Sequence, residues 1–282
     1  MEVIRDVAGI RARCEAHRVL GGAVAFVPTM GALHAGHAAL LARAGEVGDL
    51  VVASIFVNPL QFEDPADLAA YPRDEERDLA SAEASGAHVV FAPPPDALYP
   101  SGAPVVTVDP GAIGERFEGA GRPGHFRGVA TVVAKLLHAV GPCALLLGEK
   151  DAQQVAVLRR MVADLDLPVE VVVHPTVREP DGLAISSRNA RLSVAGRAAA
   201  GCLFLGLSEA AALARAGERD AARLVAAIAR EVGATPEARL EYAAVVDEAT
   251  FEEVATLGAP ARAIVAARVE GVRLIDTLAL PS

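Results

Sequence analysis

Val27-Pro28-Thr29-Met30-Gly31-Ala32-Leu33-His34-Ala35-Gly36-His37 joins the apolar run 23–27 to a stretch in which Ala38, Leu40, Leu41 and Ala44 recur at helical spacing. A short, uninterrupted apolar run suits a strand buried on both faces of a parallel sheet. Gly31 and Gly36, between strand and helix, allow close backbone approach. The unit therefore predicts an anion site, with unpaired N–H groups of the new helix and its dipole favouring phosphate. His34 and His37 lie three residues apart, a spacing that lets both imidazoles share one face and donate to phosphate oxygens. By itself the His-x-Gly-His pattern also describes two part-exposed histidines without chemistry. A zinc reading lacks a neighbouring Cys/His cluster and the Glu of His-Glu-x-x-His.

Outward from this unit, apolar runs at 50–57 and 88–91 alternate with helix-like stretches at 38–44 and 74–84. A helix is expected over 126–140, a strand over 143–147, a helix over 151–165 and a strand over 169–173. This rhythm predicts an α/β fold, a Rossmann-like parallel sheet flanked by helices. Residues 105–108 are expected to add a short strand, and the Gly-rich segment 111–128 reads either as a mobile lid or as a packed loop. After Arg191 the pattern changes to Ala-rich helices at 195–216 and 220–232 and strands at 240–246, 263–267 and 272–275. These predict a smaller C-terminal α+β domain. The turn Pro180-Asp181-Gly182 reads as a flexible joint, dividing the chain into residues 1–178 and 179–282.

Of the 282 residues 52% are hydrophobic and 22% charged, the composition of a globular chain with a substantial core. A net charge of −10 argues against nucleic acid or acidic membrane as partner. Cys14, Cys143 and Cys202 are far apart and outside any Cys-x-x-Cys pattern, which suits reduced thiols in the cytoplasm. Glu2, Arg5, Asp6, Arg11 and Arg13 interrupt what a signal peptide needs to be apolar, so the chain is expected to start as mature protein. Residues 128–148 are apolar, but Lys135, His138 and Gly141-Pro142 divide them into a helix and a strand rather than a membrane span.

Ligands of open α/β sheets bind beyond the carboxyl ends of strands, which makes polar clusters there candidates. Asn58 and Gln61 follow the run 50–57 and offer amide donors and acceptors to a small polar substrate, or serve as ordinary loop amides. Gly148-Glu149-Lys150-Asp151-Ala152-Gln153-Gln154 opens a helix after the strand at 143–147. Lys150 reads as a point charge for phosphates, or as part of a solvated Glu-Lys-Asp helix start. Asp181-Gly182-Leu183-Ala184-Ile185-Ser186-Ser187-Arg188-Asn189 offers two hydroxyls and a guanidinium to phosphate oxygens. Its alternative is a polar linker with Arg188 paired to an acid.

In their order along the chain these segments resemble the pantothenate synthetases, the AMP-forming pantoate:β-alanine ligases of the His-x-Gly-His nucleotidyltransferase superfamily. The resemblance spans most of residues 28–189. Besides Pro28–His37 it rests on Phe56-Val57-Asn58-Pro59-Leu60-Gln61-Phe62, Tyr71-Pro72-Arg73, the stretch from Arg122-Pro123-Gly124-His125 to Lys135-Leu136, Gly148-Glu149-Lys150-Asp151, Gln153-Gln154, Arg159-Arg160-Met161-Val162 and Ser186-Ser187-Arg188-Asn189. Ala152 stands where the family usually has an aromatic residue, and Ile185 replaces the common Met. Both read as packing changes near the adenine that leave the reaction type alone.

The resemblance implies ATP-dependent condensation of (R)-pantoate with β-alanine through a pantoyl adenylate, releasing AMP and pyrophosphate, with Mg²⁺. It implies His37, His34 and Lys150 as catalytic groups. It assigns Met30, Gly31, Ala32, Leu33, His34, Ala35, Gly36, His37, Gly148, Glu149, Lys150, Asp151, Val177, Ile185, Ser186, Ser187 and Arg188 to ATP. Gln61, Gln154 and Asn58 would hold pantoate and β-alanine, and the metal ligands are left open. It also implies a cytoplasmic homodimer whose C-terminal domain closes over the ATP site. The alternatives are a nucleotidyltransferase that keeps the nucleotide in its product and a catalytically silent nucleotide sensor. An aminoacyl-tRNA synthetase fits less well a short, acidic chain with Ser186-Ser187-Arg188 in place of a lysine-rich loop.

Overall fold

Six parallel strands line up in the order β1-β4-β3-β2-β5-β6 in a computed structural model that describes residues 1–63, 65–258 and 260–281. They are β1 (Glu2–Ile4), β2 (Val24–Thr29), β3 (Leu50–Ile55), β4 (Val89–Phe91), β5 (Cys143–Gly148) and β6 (Val169–His174). β2 and β3 are continuous apolar runs because helices cover both faces of the sheet, and Ala25, Phe26, Val27, Val52 and Ala53 are fully buried. Their register runs from Val24 opposite Leu50 to Thr29 opposite Ile55.

From β2 the chain builds one side of the sheet through β3 and β4, and then adds β5 on the other side of β2. The strand order therefore switches direction at the β2/β5 pair, where open α/β sheets offer a crevice. The carboxyl ends of that pair are Thr29 and Gly148, so the His-x-Gly-His turn leaves the sheet at the switch point.

Among the elements that escape the periodicity of the sequence are β1 and the helix Val7–Val19, capped by Asp6. The strand expected at 105–108 does not form. Val105 and Val106 are 99% and 85% exposed, and the Val108 N–H goes to Thr131 Oγ1 at 3.0 Å instead of a strand edge. The Gly-rich segment holds a 3-10 turn, Gly111–Gly114, and a short helix, Glu118–Gly121, before the helix His125–Val140.

The chain divides into two compact units, one of Met1–Gly148 with Val157–His174, the other of Glu149–Ala156 with Pro175–Ser282. The second unit holds an antiparallel sheet of β7 (Ala238–Asp247), β8 (Ala261–Val269) and β9 (Val272–Leu280) in the order β7-β8-β9. β8 and β9 are joined by Glu270-Gly271, both at positive φ, as a two-residue hairpin turn requires. The helices Cys202–Arg215 and Ala221–Gly233 supply Leu203, Leu207, Leu224 and Ile228 to a core shared with Val245 and Val265 of the sheet.

The single helix expected over 195–216 is broken into Val194–Ala199 and Cys202–Arg215. At the break, Gly201 and Leu203 bond back only three residues, to Ala198 and Ala200 carbonyls, so the turn tightens. The 22-residue stretch Val194–Arg215 is apolar and long enough to span a bilayer, yet half of its most apolar window lies inside the unit.

Candidate active site

The turn after β2 is held by a carboxylate from far along the chain. Gly31 (φ +79°) and Ala32 (φ +50°) are left-handed, and successive N–H groups in such a turn form a concave anion nest. Asp78, only 3% exposed, fills it: Oδ2 accepts from Ala32 N and Oδ1 from Leu33 N, both at 2.8 Å. A Cβ at position 31 would lie 2.6 Å from Asp78 Oδ2, which explains the glycine. Thr29 Oγ1 adds a bond to the Ser54 carbonyl (2.6 Å) and accepts from Gly31 N (3.2 Å).

The first turn of the helix Ala35–Val47, by contrast, is self-contained. His34 is its N-cap, with Nδ1 accepting from Gly36 N at 3.1 Å, and His37 Nδ1 accepts from His34 N at 3.3 Å, a reciprocal capping box. The N–H groups of Ala32, Leu33, His34 and Gly36 are thus committed within the protein, which narrows the expectation that unpaired backbone N–H groups here face an anion. What the turn presents is its imidazoles. Their rings stack at 4.1 Å between centroids, and because each Nδ1 accepts from a backbone N–H, each neutral ring carries its proton on Nε2 as a donor.

Asn58 and Gln61 lie on the turn after β3, 1% and 8% exposed. Asn58 Nδ2 donates to Gln61 Oε1 and to the Gly128 carbonyl, both at 3.1 Å. Asn58 Oδ1 accepts from Leu60 N (3.3 Å) and from the Tyr99 hydroxyl (2.8 Å). Asn58 is thereby saturated, while Gln61 Nε2 meets, among the described residues, only Met30 Sδ, a weak acceptor, at 2.9 Å. The Gln61 carbonyl is held by His125 Nδ1 (3.0 Å) and Arg122 (3.3 Å). Burial pushes the Tyr99 hydroxyl well above its ordinary pKa, so it remains a donor.

In the second unit, Lys150, Ser186, Arg188 and Asn189 line one cleft, together with Arg273 and Asp276, over Leu183, Leu203 and Leu274, while Ser187 stands exposed outside that lining. Lys150 sits on the 3-10 turn Glu149–Asp151, 3.5 Å from Asp151. Ser186 caps the turn Ser187–Arg191 by accepting from Arg188 N at 3.3 Å. Arg188 has no acidic partner among the described residues, contrary to the linker alternative, and the buried Asn189 Oδ1 has no hydrogen-bond donor among them. Val177 and Ile185 pair across a tight hairpin, Ile185 N to Val177 O at 3.0 Å.

Within the second unit this hairpin is anchored to β9. Arg178 grips Asp276 with both guanidinium nitrogens (2.6 and 3.0 Å), donates to the Gly182 and Thr277 carbonyls, and stacks 4.3 Å from the centre of the Phe204 ring. Burial pushes the Asp276 carboxyl up while the Arg178 fork pulls it down. Glu149 is held likewise, Oε1 by Arg262 of β8 (2.9 Å) and Oε2 by Thr176 N (3.2 Å). Both of its oxygens are therefore engaged in fixing the Lys150 turn.

Met30–His37, Asn58 and Gln61 thus belong to the first unit, with Gly148 ending β5, while Glu149, Lys150, Asp151, Gln154, Val177 and Ile185–Arg188 belong to the second. Asp78, Tyr99, Arg178, Arg262 and Asp276 were not among the sequence candidates. Each acts on residues tens of positions away, and no local pattern announces them.

The sequence model of the pantoate-beta-alanine ligase family matches residues 2–279. Pantothenate synthetase of Acidothermus cellulolyticus is 52% identical over 98% of this chain and 90% of its own, and that of Rhizorhabdus wittichii 49% identical over 99% of each. The crystal structure of pantothenate synthetase from Thermus thermophilus superposes with a TM-score of 0.91 at 46% identity, with both chains fully covered. Pantoate-beta-alanine ligase from Francisella tularensis, complexed with beta-gamma ATP and beta-alanine, superposes at 0.79 with 32% identity over 99% of this chain and 97% of its own. With the switch-point histidines, the buried amide pair and the lysine–arginine cleft, this whole-length agreement in sequence and fold makes the chain a member of the pantoate–β-alanine ligase family.

Proposed function

We propose that this ligase condenses (R)-pantoate with β-alanine in two steps through a pantoyl adenylate. The observation that carries the reading is the His34/His37 pair, whose Nδ1 atoms are committed to backbone and whose Nε2–H donors suit phosphate oxygens. In the first step a pantoate carboxylate oxygen bonds to the α-phosphorus of ATP and the bond to pyrophosphate breaks. The carboxylate is already ionised at neutral pH, so positioning and charge neutralisation matter more than a general base. His37 is assigned to the departing pyrophosphate, with His34 beside it, and Lys150, Ser186, Ser187 and Arg188 to the triphosphate. In the second step the β-alanine amine attacks the acyl carbon and AMP leaves.

The orphan acceptor Asn189 Oδ1, on an amide whose nitrogen donates to the Ala184 carbonyl, suits a nucleotide donor, an adenine amino or ribose hydroxyl group, with Val177 and Ile185 assigned to the nucleotide as well. Met30, Gly31, Ala32, Leu33, Ala35 and Gly36 would follow the nucleotide along the turn, with Gly148, Glu149 and Asp151 bounding it. Gln61 and Gln154 would take pantoate oxygens, and Asn58 supports Gln61, since contact with substrate would break one of its four bonds. No three His, Cys, Asp or Glu side chains cluster among the described residues, so Mg²⁺ would arrive on the triphosphate and supply charge neutralisation there, with Asp151 the nearby carboxylate. We extend the reading to a cytoplasmic homodimer without nucleic-acid or membrane partners, in keeping with the net charge of −10, and to a C-terminal domain that closes over ATP.

The test is ATP–pyrophosphate isotope exchange with Mg²⁺, with and without pantoate and in the absence of amine, followed by β-alanine. Pantoate-dependent exchange and then equal amounts of AMP and amide are expected. His37→Ala and Lys150→Ala should each lower exchange on the order of 10²-fold while circular dichroism stays native. Exchange without pantoate, or near-normal rates in either variant, would overturn the assignment.

A further inference from the structure

Gln61 has two faces, an amide oxygen that accepts and an amide nitrogen that donates, and a substrate sees whichever the protein turns outward. The choice is made by Asn58. The Leu60 N–H can only donate and the Gly128 carbonyl can only accept, so these two backbone groups determine which end of the Asn58 amide points where. Gly128 reaches this position because it has no side chain: a Cβ there would lie 2.3 Å from the Leu60 carbonyl oxygen. With Asn58 so oriented, its second N–H faces Gln61 Oε1 and its remaining lone pair faces the Tyr99 hydroxyl at 2.8 Å. Tyr99 is itself immobilised, 7% exposed, with its ring centroid 5.9 Å from that of Phe56 and Lys135 Nζ 5.7 Å from its centre. The chain of bonds ends at Gln61 Nε2, which has two hydrogens and only the weak Met30 sulfur acceptor among the described residues.

We propose that Tyr99 is a positioning residue that acts through Asn58 to turn the Gln61 amide nitrogen toward substrate, making this subsite specific for a hydrogen-bond acceptor, a carboxylate or hydroxyl oxygen. The inference rests on the reading of Gln61 as a pantoate ligand. It adds a polarity: the β-alanine ammonium, a donor, has no partner at Gln61 Nε2. With Asn58 held by Leu60 N, the Gly128 carbonyl and the Tyr99 hydroxyl, the Gln61 amide it orients loses little freedom on binding, and removing the Tyr99 bond loosens Asn58 and lets Gln61 turn away.

The experiment measures steady-state KM for pantoate and for ATP, kcat and Tm in wild type, Tyr99→Phe, Gln61→Ala and the double variant. Pantoate-dependent exchange in wild type checks the parent reading separately. Tyr99→Phe keeps the ring and removes the hydroxyl, and is expected to raise KM for pantoate on the order of 10-fold with KM for ATP unchanged. In the Gln61→Ala background the same change should cost nothing further, since its route to substrate is gone. Gln61→Glu, which loses the donor, should be as poor as Gln61→Ala. Asn58→Asp, which cannot donate to Gln61 Oε1, should reproduce the pantoate defect if Tyr99→Phe folds poorly. An unchanged KM for pantoate in Tyr99→Phe, an equal rise for ATP, full additivity with Gln61→Ala, or a competent Gln61→Glu would each overturn the proposal.

Discussion

The two phosphate-facing candidates of this chain are built on opposite principles. In the first unit the Met30–His37 turn organises its own helix start, since His34 and His37 cap each other's backbone within four residues, and one distant carboxylate, Asp78, completes it. In the second unit the Val177–Ile185 hairpin has its own cross-strand bonds, but it and the Lys150 turn are clamped from afar by β8 and β9, through Arg262 to Glu149, 113 residues apart, and Arg178 to Asp276, 98 residues apart. A capping box is a local device that costs little chain entropy to form. A buried ion pair between distant strands exists only once the sheet has folded, and it fails badly when one partner is removed.

That contrast can be broken most forcefully at Arg178. Arg178→Met leaves the Asp276 carboxylate buried without its fork and should cost about 3–5 kcal/mol in urea unfolding at neutral pH. A cost near zero would mean that the hairpin is held by its own turn, and the two regions would no longer differ in kind. Next comes Asp78→Ala, which strands the Ala32 and Leu33 N–H groups and should cost about 2–3 kcal/mol in the same assay. A loss as large as that at Arg178 would show the first region to be no more self-contained than the second. The smallest effect separates cap from chemistry at His34. His34→Ala should lose about 1 kcal/mol, whereas His34→Asn, which restores a capping oxygen, should recover that stability. If His34→Asn restores exchange as well as stability, the imidazole is a structural cap and its catalytic assignment falls.

Much of the first region was readable in advance. The strand–turn–helix unit, the parallel sheet and the C-terminal α+β domain follow from apolar runs, glycines and helical spacing, all of them local signals. Local signals fell short where they met an absent or unforeseen partner. Residues 105–108 have strand-like composition, but no sheet edge takes them. The helix start reads as an anion site with several open N–H groups, but Asp78 takes those of Ala32 and Leu33 and the histidines take those of His34 and Gly36. The Pro180-Asp181-Gly182 turn reads as a joint from its residue types, and within the second unit Arg178 ties it to Asp276, a partner that no local pattern records.

By itself, the sequence determined which residue types stand at strand ends, and with them the reaction class to which the chain belongs, because motif chemistry is carried by short, ordered stretches of covalent neighbours. Tertiary structure decided the direction in which those residues act: that the histidines donate from Nε2, that Gln61 is turned by Asn58 and Tyr99, and that Lys150 is braced through Glu149. Orientation depends on hydrogen-bond partners that the fold brings together from distant parts of the chain, and no local periodicity records which partner a buried amide, imidazole or carboxylate will meet.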